Sequence, residues 1–308
     1  MKVLIISSGN SGEINVCVKD QAKSLFKMGI TTEHYLIVGK GILGYLKNLR
    51  LFKNNIKNFG PDLIHAHYGL SGLLAILQRK IPVVITFHGG DIYLKQSNLA
   101  YLGLSWLGSL FSNSNIFVTN NIPILFKCNK HDVIPCGLQM DIFYNIDKEK
   151  ARKELRFNNN KKYILFAGQF DDAIKNYPLA QKAISILNQD VVLLELDGYS
   201  RKEVNLLMNA VDLFLLTSIS EGSPATIKEA MACNCPIVSV DVGDVKEVMG
   251  KTKNCFLSTY EPEDVSKKIK KALICERKNN GRDRIKKIKL DNESVEESIM
   301  NLYKKVLK

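Results

Sequence analysis

Glu221 and Glu229 have seven residues between them, beginning Gly222-Ser223-Pro224-Ala225-Thr226. Ser223 reads as a helix N-cap and Pro224 as the first helical residue, where a missing N–H costs nothing. The first-turn amides around Ala225 and Thr226 then form a site for an anion, flanked by the two carboxylates. A second group lies far upstream. The apolar run Val83 to Phe87 leads into His88-Gly89-Gly90-Asp91, whose glycines let a ligand approach the backbone closely. Two further turns follow apolar runs: Gly168-Gln169, with Lys175 six residues beyond Gln169, and Ser8 to Gly12. His65 and His67, at i and i+2, share one face of a strand. No third ligand follows at a clear spacing, so a structural or cleft-lining role is expected rather than a metal site. Asp171 and Asp172 are adjacent, without the spacer of an Asp-x-Asp motif.

These residues need elements to place them. In the first half, Val3–Ser7, His34–Val38, Leu63–Ala66 and Val83–Phe87 read as strands. Glu13–Met28, Leu43–Phe59 and Leu70–Gln78 carry helical spacing. The alternation restarts near residue 161, with strands at 163–168, 191–196, 213–217 and 237–240. Helices are expected at 178–187, 203–210, 224–232 and 262–275, and an amphipathic helix at Glu293–Lys308. Such alternation predicts parallel sheets covered by helices on both faces. The polar residues 144–161 read as a linker or exposed loop between two doubly wound domains. Ligands of such sheets bind beyond the carboxyl ends of the strands, here in a cleft between the domains.

Composition excludes several classes. The chain has 308 residues, 45% apolar and 24% charged, which fits a folded protein of about two domains. No apolar run reaches the roughly 18 residues of a spanning helix. Met1 to Gly9 is too short in its apolar part for a signal peptide and reads as a buried strand. The seven cysteines are odd in number and scattered, so reduced structural thiols are expected. The formal charge is +12, which admits anionic partners without choosing among them.

The string from Leu216 to Cys233 resembles the E-x7-E motif of glycosyltransferase family 4, retaining enzymes of the GT-B fold. Val240 to Val248 resembles that family's next loop, and Glu203 to Asp212 its preceding helix and strand. The resemblance implies two Rossmann-like domains facing across a cleft, with the C-terminal helix crossing back. It implies that Glu221 holds donor-sugar hydroxyls, that Glu229 binds the nucleotide ribose, and that Gly222, Ser223, Pro224, Ala225 and Thr226 line the donor diphosphate. Gly168 and Gln169 with Lys175 resemble the family's Gly-Arg…Lys. Gln169 stands where Arg is usual, which removes a charge and a bidentate donor and leaves Lys175 as the diphosphate cation. His88 takes the place of the histidine that faces the donor sugar. Gly89 and Asp91 stand where acceptor or sugar hydroxyls would be met, and Gly12 where the first loop touches donor phosphate or acceptor. His131 to Phe143 resembles the hinge segment. The implied domains are 1–145 on the acceptor side, 146–292 for the nucleotide sugar, and 293–308 packing toward the first.

No acidic residue stands between Glu33 and Asp62, while Lys40, Lys47, Arg50, Lys53 and Lys57 alternate with Ile42, Leu43, Tyr45, Leu46, Leu49, Phe52 and Ile56. Residues 40–57 thus read as a basic amphipathic helix, either docked on the sheet or lying on an anionic membrane surface, with Tyr101 to Gly108 adding apolar contact. No nucleic-acid motif accompanies the charge, so no nucleic-acid partner is expected. The expected function is a retaining, metal-independent hexosyltransferase without a cofactor. It would move sugar from a UDP- or GDP-linked donor to a glycan or lipid-linked acceptor hydroxyl, in the cytoplasm or at the inner face of the membrane. Two rivals remain: a sugar-nucleotide epimerase on the same architecture, and a non-catalytic nucleotide-sugar-binding scaffold.

Overall fold

A computed structural model describes residues 1–93, 98–127, 130–275 and 279–308, so Cys128 lies outside the described residues. The other six cysteines are free thiols. The chain forms two compact units, residues 1–137 with 292–308, and residues 138–291. In chain order the elements begin with β1 (Lys2–Ser8), α1 (Val16–Lys27), β2 (Thr31–Ile37), α2 (Gly41–Lys47), α3 (Leu49–Phe59), β3 (Leu63–His67) and α4 (Gly69–Ile76). Next come β4 (Val83–Phe87), α5 (Leu99–Phe111), β5 (Ser114–Phe117) and β6 (His131–Val133). The second unit holds α6 (Lys148–Glu154), β7 (Lys162–Phe166), α7 (Tyr177–Leu187), β8 (Val191–Glu195), α8 (Arg201–Ala210) and β9 (Leu213–Leu216). It continues with α9 (Ala225–Ala232), β10 (Ile237–Val240), α10 (Val245–Met249), β11 (Cys255–Ser258), α11 (Pro262–Ile274) and α12 (Gly281–Lys287). The helix α13 (Asn292–Val306) returns to the first unit.

The first sheet runs β2-β1-β3-β4-β5-β6 and is parallel throughout. β1 shows why its sequence is apolar without alternation. Leu4 and Ile6 face a core shared with Phe52 of α3 and Leu74 of α4, while Val3 and Ile5 face one shared with Val18, Leu25, Ile299 and Tyr303. Both faces are covered, so every side chain of the run is buried. The second sheet is also parallel, in the order β11-β10-β9-β7-β8. Strand order reverses between β7 and β9, which places the loops after these two strands at the switch point where such sheets bind ligands.

Three expectations change. The division falls at Gly137 rather than 145, because Leu138 and Phe143 are buried in the second core. Residues 144–161 are not a linker. Asp147 caps α6 through the Lys150 amide at 3.0 Å, and Arg152 is buried, its Nη2 2.8 Å from Asp212 Oδ2 and its Nε donating to the Ala210 carbonyl. The sequence Lys-Glu-Lys-Ala-Arg-Lys-Glu looked solvated, yet one of its charges is satisfied inside. Residues 43–59 are two helices. The buried Asn48 amide donates to the carbonyls of Val38 and Gly44 and ends α2 by competing for its backbone.

Candidate functional site

In the second unit, the loops after β7 and β9 are tied together. Thr217 Oγ1 donates to the carbonyls of Lys175 and Asn176 at 2.9 and 3.1 Å, and the Ile219 amide donates to the Ile174 carbonyl at 2.8 Å. This pins a short helical turn, Ala173–Lys175, whose start is capped by Asp172. Gly168 has φ +150°, and a Cβ there would lie 2.8 Å from Lys175 Cγ. Glycine therefore lets the lysine stem cross the end of β7. Lys175 Nζ reaches Glu221 Oε1 at 2.8 Å, both side chains keeping some exposure to solvent. The exposed Gln169 borders the same loop.

Ser223 does not cap α9. Its hydroxyl binds Asp244 Oδ2 and accepts from Lys228 Nζ at 2.7 Å. Pro224 takes the N-cap position and supplies no side-chain bond, so α9 begins one residue later than expected, at Ala225. The physical reason is the next loop. Asp244 donates its amide to the Gly222 carbonyl, and Gly243, at φ +60°, comes so close that a Cβ would sit 2.3 Å from that oxygen. Asp244 draws the serine sideways and leaves the first-turn amides of α9, at Ala225 and Thr226, without a side-chain cap. Burial raises the Asp244 carboxyl above its usual range, against the opposing Lys228 charge and the Ser223 bond. Further along α9, Glu229 is buried to 8% exposure, with Arg201 Nη2 3.9 Å from its Oε1. The Arg201 guanidinium lies over the Phe143 ring at 4.9 Å. Gly168, Gln169, Lys175, Glu221, Gly222, Ser223, Pro224, Ala225, Thr226 and Glu229 thus all lie on the loops after β7 and β9 or on α9. Sequence reasoning missed Lys228 and Asp244 as loop-fixing residues; the Gly243-Asp244 pair in the following loop was the available signal.

In the first unit, His88 follows β4. Its Nε2 is 3.0 Å from His67 Nδ1, and its ring packs against Tyr68, with centroids 4.6 Å apart. Asp91 serves the backbone: Oδ1 accepts from the amides of His88 and Gly89, and Oδ2 from Gly69 at the start of α4. Burial raises the Asp91 carboxyl, while His88 and these amides oppose the shift. His65 is fully buried between Tyr303 Oη and Thr86 Oγ1, and burial lowers its pKa to about 3, helped by His88. The Gly12 turn after β1 is exposed, with open space where a Cβ would stand. Beside Asp91, an open pocket of about 360 Å³ is walled by Tyr45, Tyr68, Tyr101, Asn98 and Ser105. Tyr68 has φ 72°, rare for an aromatic residue, and was not singled out from sequence. The basic segment is split. α3 docks through Phe52, whereas α2 buries nothing and leaves Ile42, Leu43 and Leu46 at 42%, 75% and 42% exposure.

Residues 13–124 match the family model described as Glycosyltransferase Family 4, and residues 194–289 match that of Glycosyl transferases group 1. A Bacillus subtilis protein named "Putative teichuronic acid biosynthesis glycosyltransferase TuaC" is 25% identical over 241 residues, 68% of this chain and 60% of that protein. The chain thus spans less than two thirds of that relative's length. The N,N'-diacetylbacillosaminyl-diphospho-undecaprenol alpha-1,3-N-acetylgalactosaminyltransferase of Campylobacter jejuni is 27% identical over 311 residues, covering 85% of this chain and 82% of that one. In fold, the chain superposes on the Anabaena Alr3699/HepE structure in complex with UDP and glucose with a TM-score of 0.77. Identity there is 19%, and coverage is 99% of this chain and 100% of that chain.

Proposed function

We propose, starting from a chain that belongs to glycosyltransferase family 4 and has the GT-B fold, that it moves a sugar from a nucleotide-sugar donor to an acceptor hydroxyl with retention of configuration. The observation that carries this reading is the Lys175–Glu221 pair at 2.8 Å, placed at the switch point beside a helix start left without a side-chain cap. The lysine and the first-turn amides of α9 stabilise negative charge on a departing diphosphate. Glu221 accepts hydrogen bonds from hydroxyls of the donor sugar, and Glu229 does the same for the ribose. Gly168 and Gln169 offer backbone to the donor phosphates, and the Gly12 turn of the first unit is assigned to donor phosphate or acceptor. His88 orients the sugar through a hydroxyl. Asp91 acts by holding the His88-Gly89 turn in shape. The leaving diphosphate itself takes the proton of the incoming hydroxyl, so no resident cofactor, metal or protein nucleophile is assigned.

The acceptor sugar seats among Tyr45, Tyr68 and Tyr101, whose ring faces suit the apolar C–H face of a pyranose. A lipid-linked or polysaccharide precursor is favoured, since one relative is named as a putative teichuronic acid biosynthesis enzyme and another for a diphospho-undecaprenol-linked substrate. Among the described residues no helix is long and apolar enough to cross a membrane. Contact with an anionic membrane face is assigned to residues 40–57, where Ile42, Leu43 and Leu46 are exposed beside Lys40 and Lys47. A thermal-shift panel of UDP- and GDP-sugars identifies the donor, and turnover with membrane extract follows. Glu221→Ala and Lys175→Ala should each lose most turnover while remaining folded; wild-type turnover in both removes their roles. Donor epimerised without acceptor, or bound and never consumed, rejects the transferase reading.

A further inference from the structure

The first unit holds a small, partly open chamber lined by Gln21 of α1, His67 of β3 and Glu296 of α13, with Asp20, His88 and Cys136 also on its wall. The centre of a water molecule has about 30 Å³ to occupy there. One water needs on the order of 10–15 Å³ by that measure. Three lining side chains bring a buried polar atom without a hydrogen-bond partner among the described residues: Gln21 Oε1, His67 Nε2 and Glu296 Oε2. His67 and Glu296 are each 2% exposed. Orphaned groups gathered around a cavity of this size are ordinarily satisfied by buried water.

We propose that the chamber is a hydration site whose water joins Glu296 to His67 and, through His67, fixes the tautomer of His88. The donor and acceptor sense follows from the groups present. Burial pushes the Glu296 carboxyl up to about 9, so it keeps its proton at neutral pH and donates. The water accepts that bond and donates to His67 Nε2 and Gln21 Oε1. His67, held neutral by burial, then carries its proton on Nδ1 and donates across 3.0 Å to His88 Nε2. His88 in turn holds its own proton on Nδ1, 3.9 Å from Cys136 Sγ, a contact long enough for a sugar hydroxyl to share that N–H. Glu296 is thus a positioning residue, acting on His88 from a helix 208 sequence positions away. Its bearing on turnover rests on the sugar-orienting role proposed for His88; the hydration site does not.

The test is long-range ¹⁵N NMR of the imidazoles in labelled full-length protein at pH 7. His67 and His88 should both show the Nδ1–H tautomer. Glu296→Gln, which keeps an N–H donor, should preserve both, whereas Glu296→Met should give mixed tautomers at His67 and His88. Wild-type His88 protonated on Nε2, or unchanged tautomers in a folded Glu296→Met protein, overturns the proposal. Should Glu296→Met fail to fold, the wild-type and Glu296→Gln spectra decide. Once a donor is known, Glu296→Met should lower kcat at least tenfold with donor KM within twofold, and Glu296→Gln should restore it. Shifted tautomers with unchanged kcat overturn the role of His88 and leave the hydration site standing.

Discussion

Glu221→Gln should tighten binding of a bare nucleoside diphosphate while weakening use of the sugar-bearing donor. The Lys175 ammonium is held by Glu221 at 2.8 Å. At an effective dielectric of about 20 the gross attraction at that distance is about 6 kcal/mol. The side chains are 26% and 16% exposed, so desolvation, side-chain entropy and screening offset most of it, leaving about 1 kcal/mol. A diphosphate that takes the lysine must release it from the carboxylate. Replacing the carboxylate by an amide removes that cost, so UDP or GDP should bind about fivefold tighter. Lys175→Met removes the cation and one charge-assisted hydrogen bond, worth about 1.5–3 kcal/mol, so the same ligand should bind about 10- to 100-fold more weakly. Calorimetric titration of both variants with UDP and GDP at two salt concentrations reads these signs directly. Weaker diphosphate binding in Glu221→Gln, or unchanged binding in Lys175→Met, refutes the claim that the lysine is passed from carboxylate to phosphate.

Asp212→Ala should cost about 3–5 kcal/mol by stranding the buried Arg152, lowering Tm of the second unit by about 10 °C in calorimetry. Burial opposes the Asp212 charge, but the bonds and charges of Lys148, the Tyr163 amide and Arg152 outweigh it and hold the carboxyl below its usual range. This stabilisation is present above the unfolded carboxylate pKa and is lost as pH falls through the lower folded value, an acid limb that Asp212→Asn should lack. Glu296 has the opposite sign. Its folded pKa of about 9 means stability is full below about pH 4.5 and declines as pH rises toward 9. Glu296→Gln should therefore recover about 3 kcal/mol at pH 7, and the fall in unfolding free energy between pH 5 and 9 should shrink by the Glu296 contribution. Reversing Lys47, Arg50 and Lys53 to Glu should weaken binding to anionic vesicles by about 100-fold or more, at about 1 kcal/mol per basic residue. Unchanged vesicle sedimentation rejects the membrane role of residues 40–57.

Much of the sheet architecture was legible because buried parallel strands leave continuous apolar runs. Val83–Phe87 and Ile237–Val240 were read to the residue. β5 escaped because Ser114 and Asn115 supply half of a buried strand, the Asn115 amide donating to the Ser109 and Lys130 carbonyls. α6 escaped because a charged heptad hides one arginine that folding buries. At the candidate site, the spacing of Glu221 and Glu229 placed both on the right loop and helix. The cap could not be read, since Ser-Pro before a helix looks the same whether the serine faces its own amides or Asp244, twenty-one positions on. Likewise, nothing near His88 in sequence announces that Glu296 of α13 lines the same chamber.

Residues 292–308 complete the first unit, with Ile299, Leu302 and Tyr303 filling the core beneath β1. The ribosome has to deliver all of residues 138–291 before that helix emerges. The unit begun first in synthesis is therefore finished last, and until then it waits with one side of its sheet only partly covered, by α1, while the intervening unit can already fold. Chaperone demand on a nascent chain of this kind should centre on α1 and β1, and should end when α13 arrives.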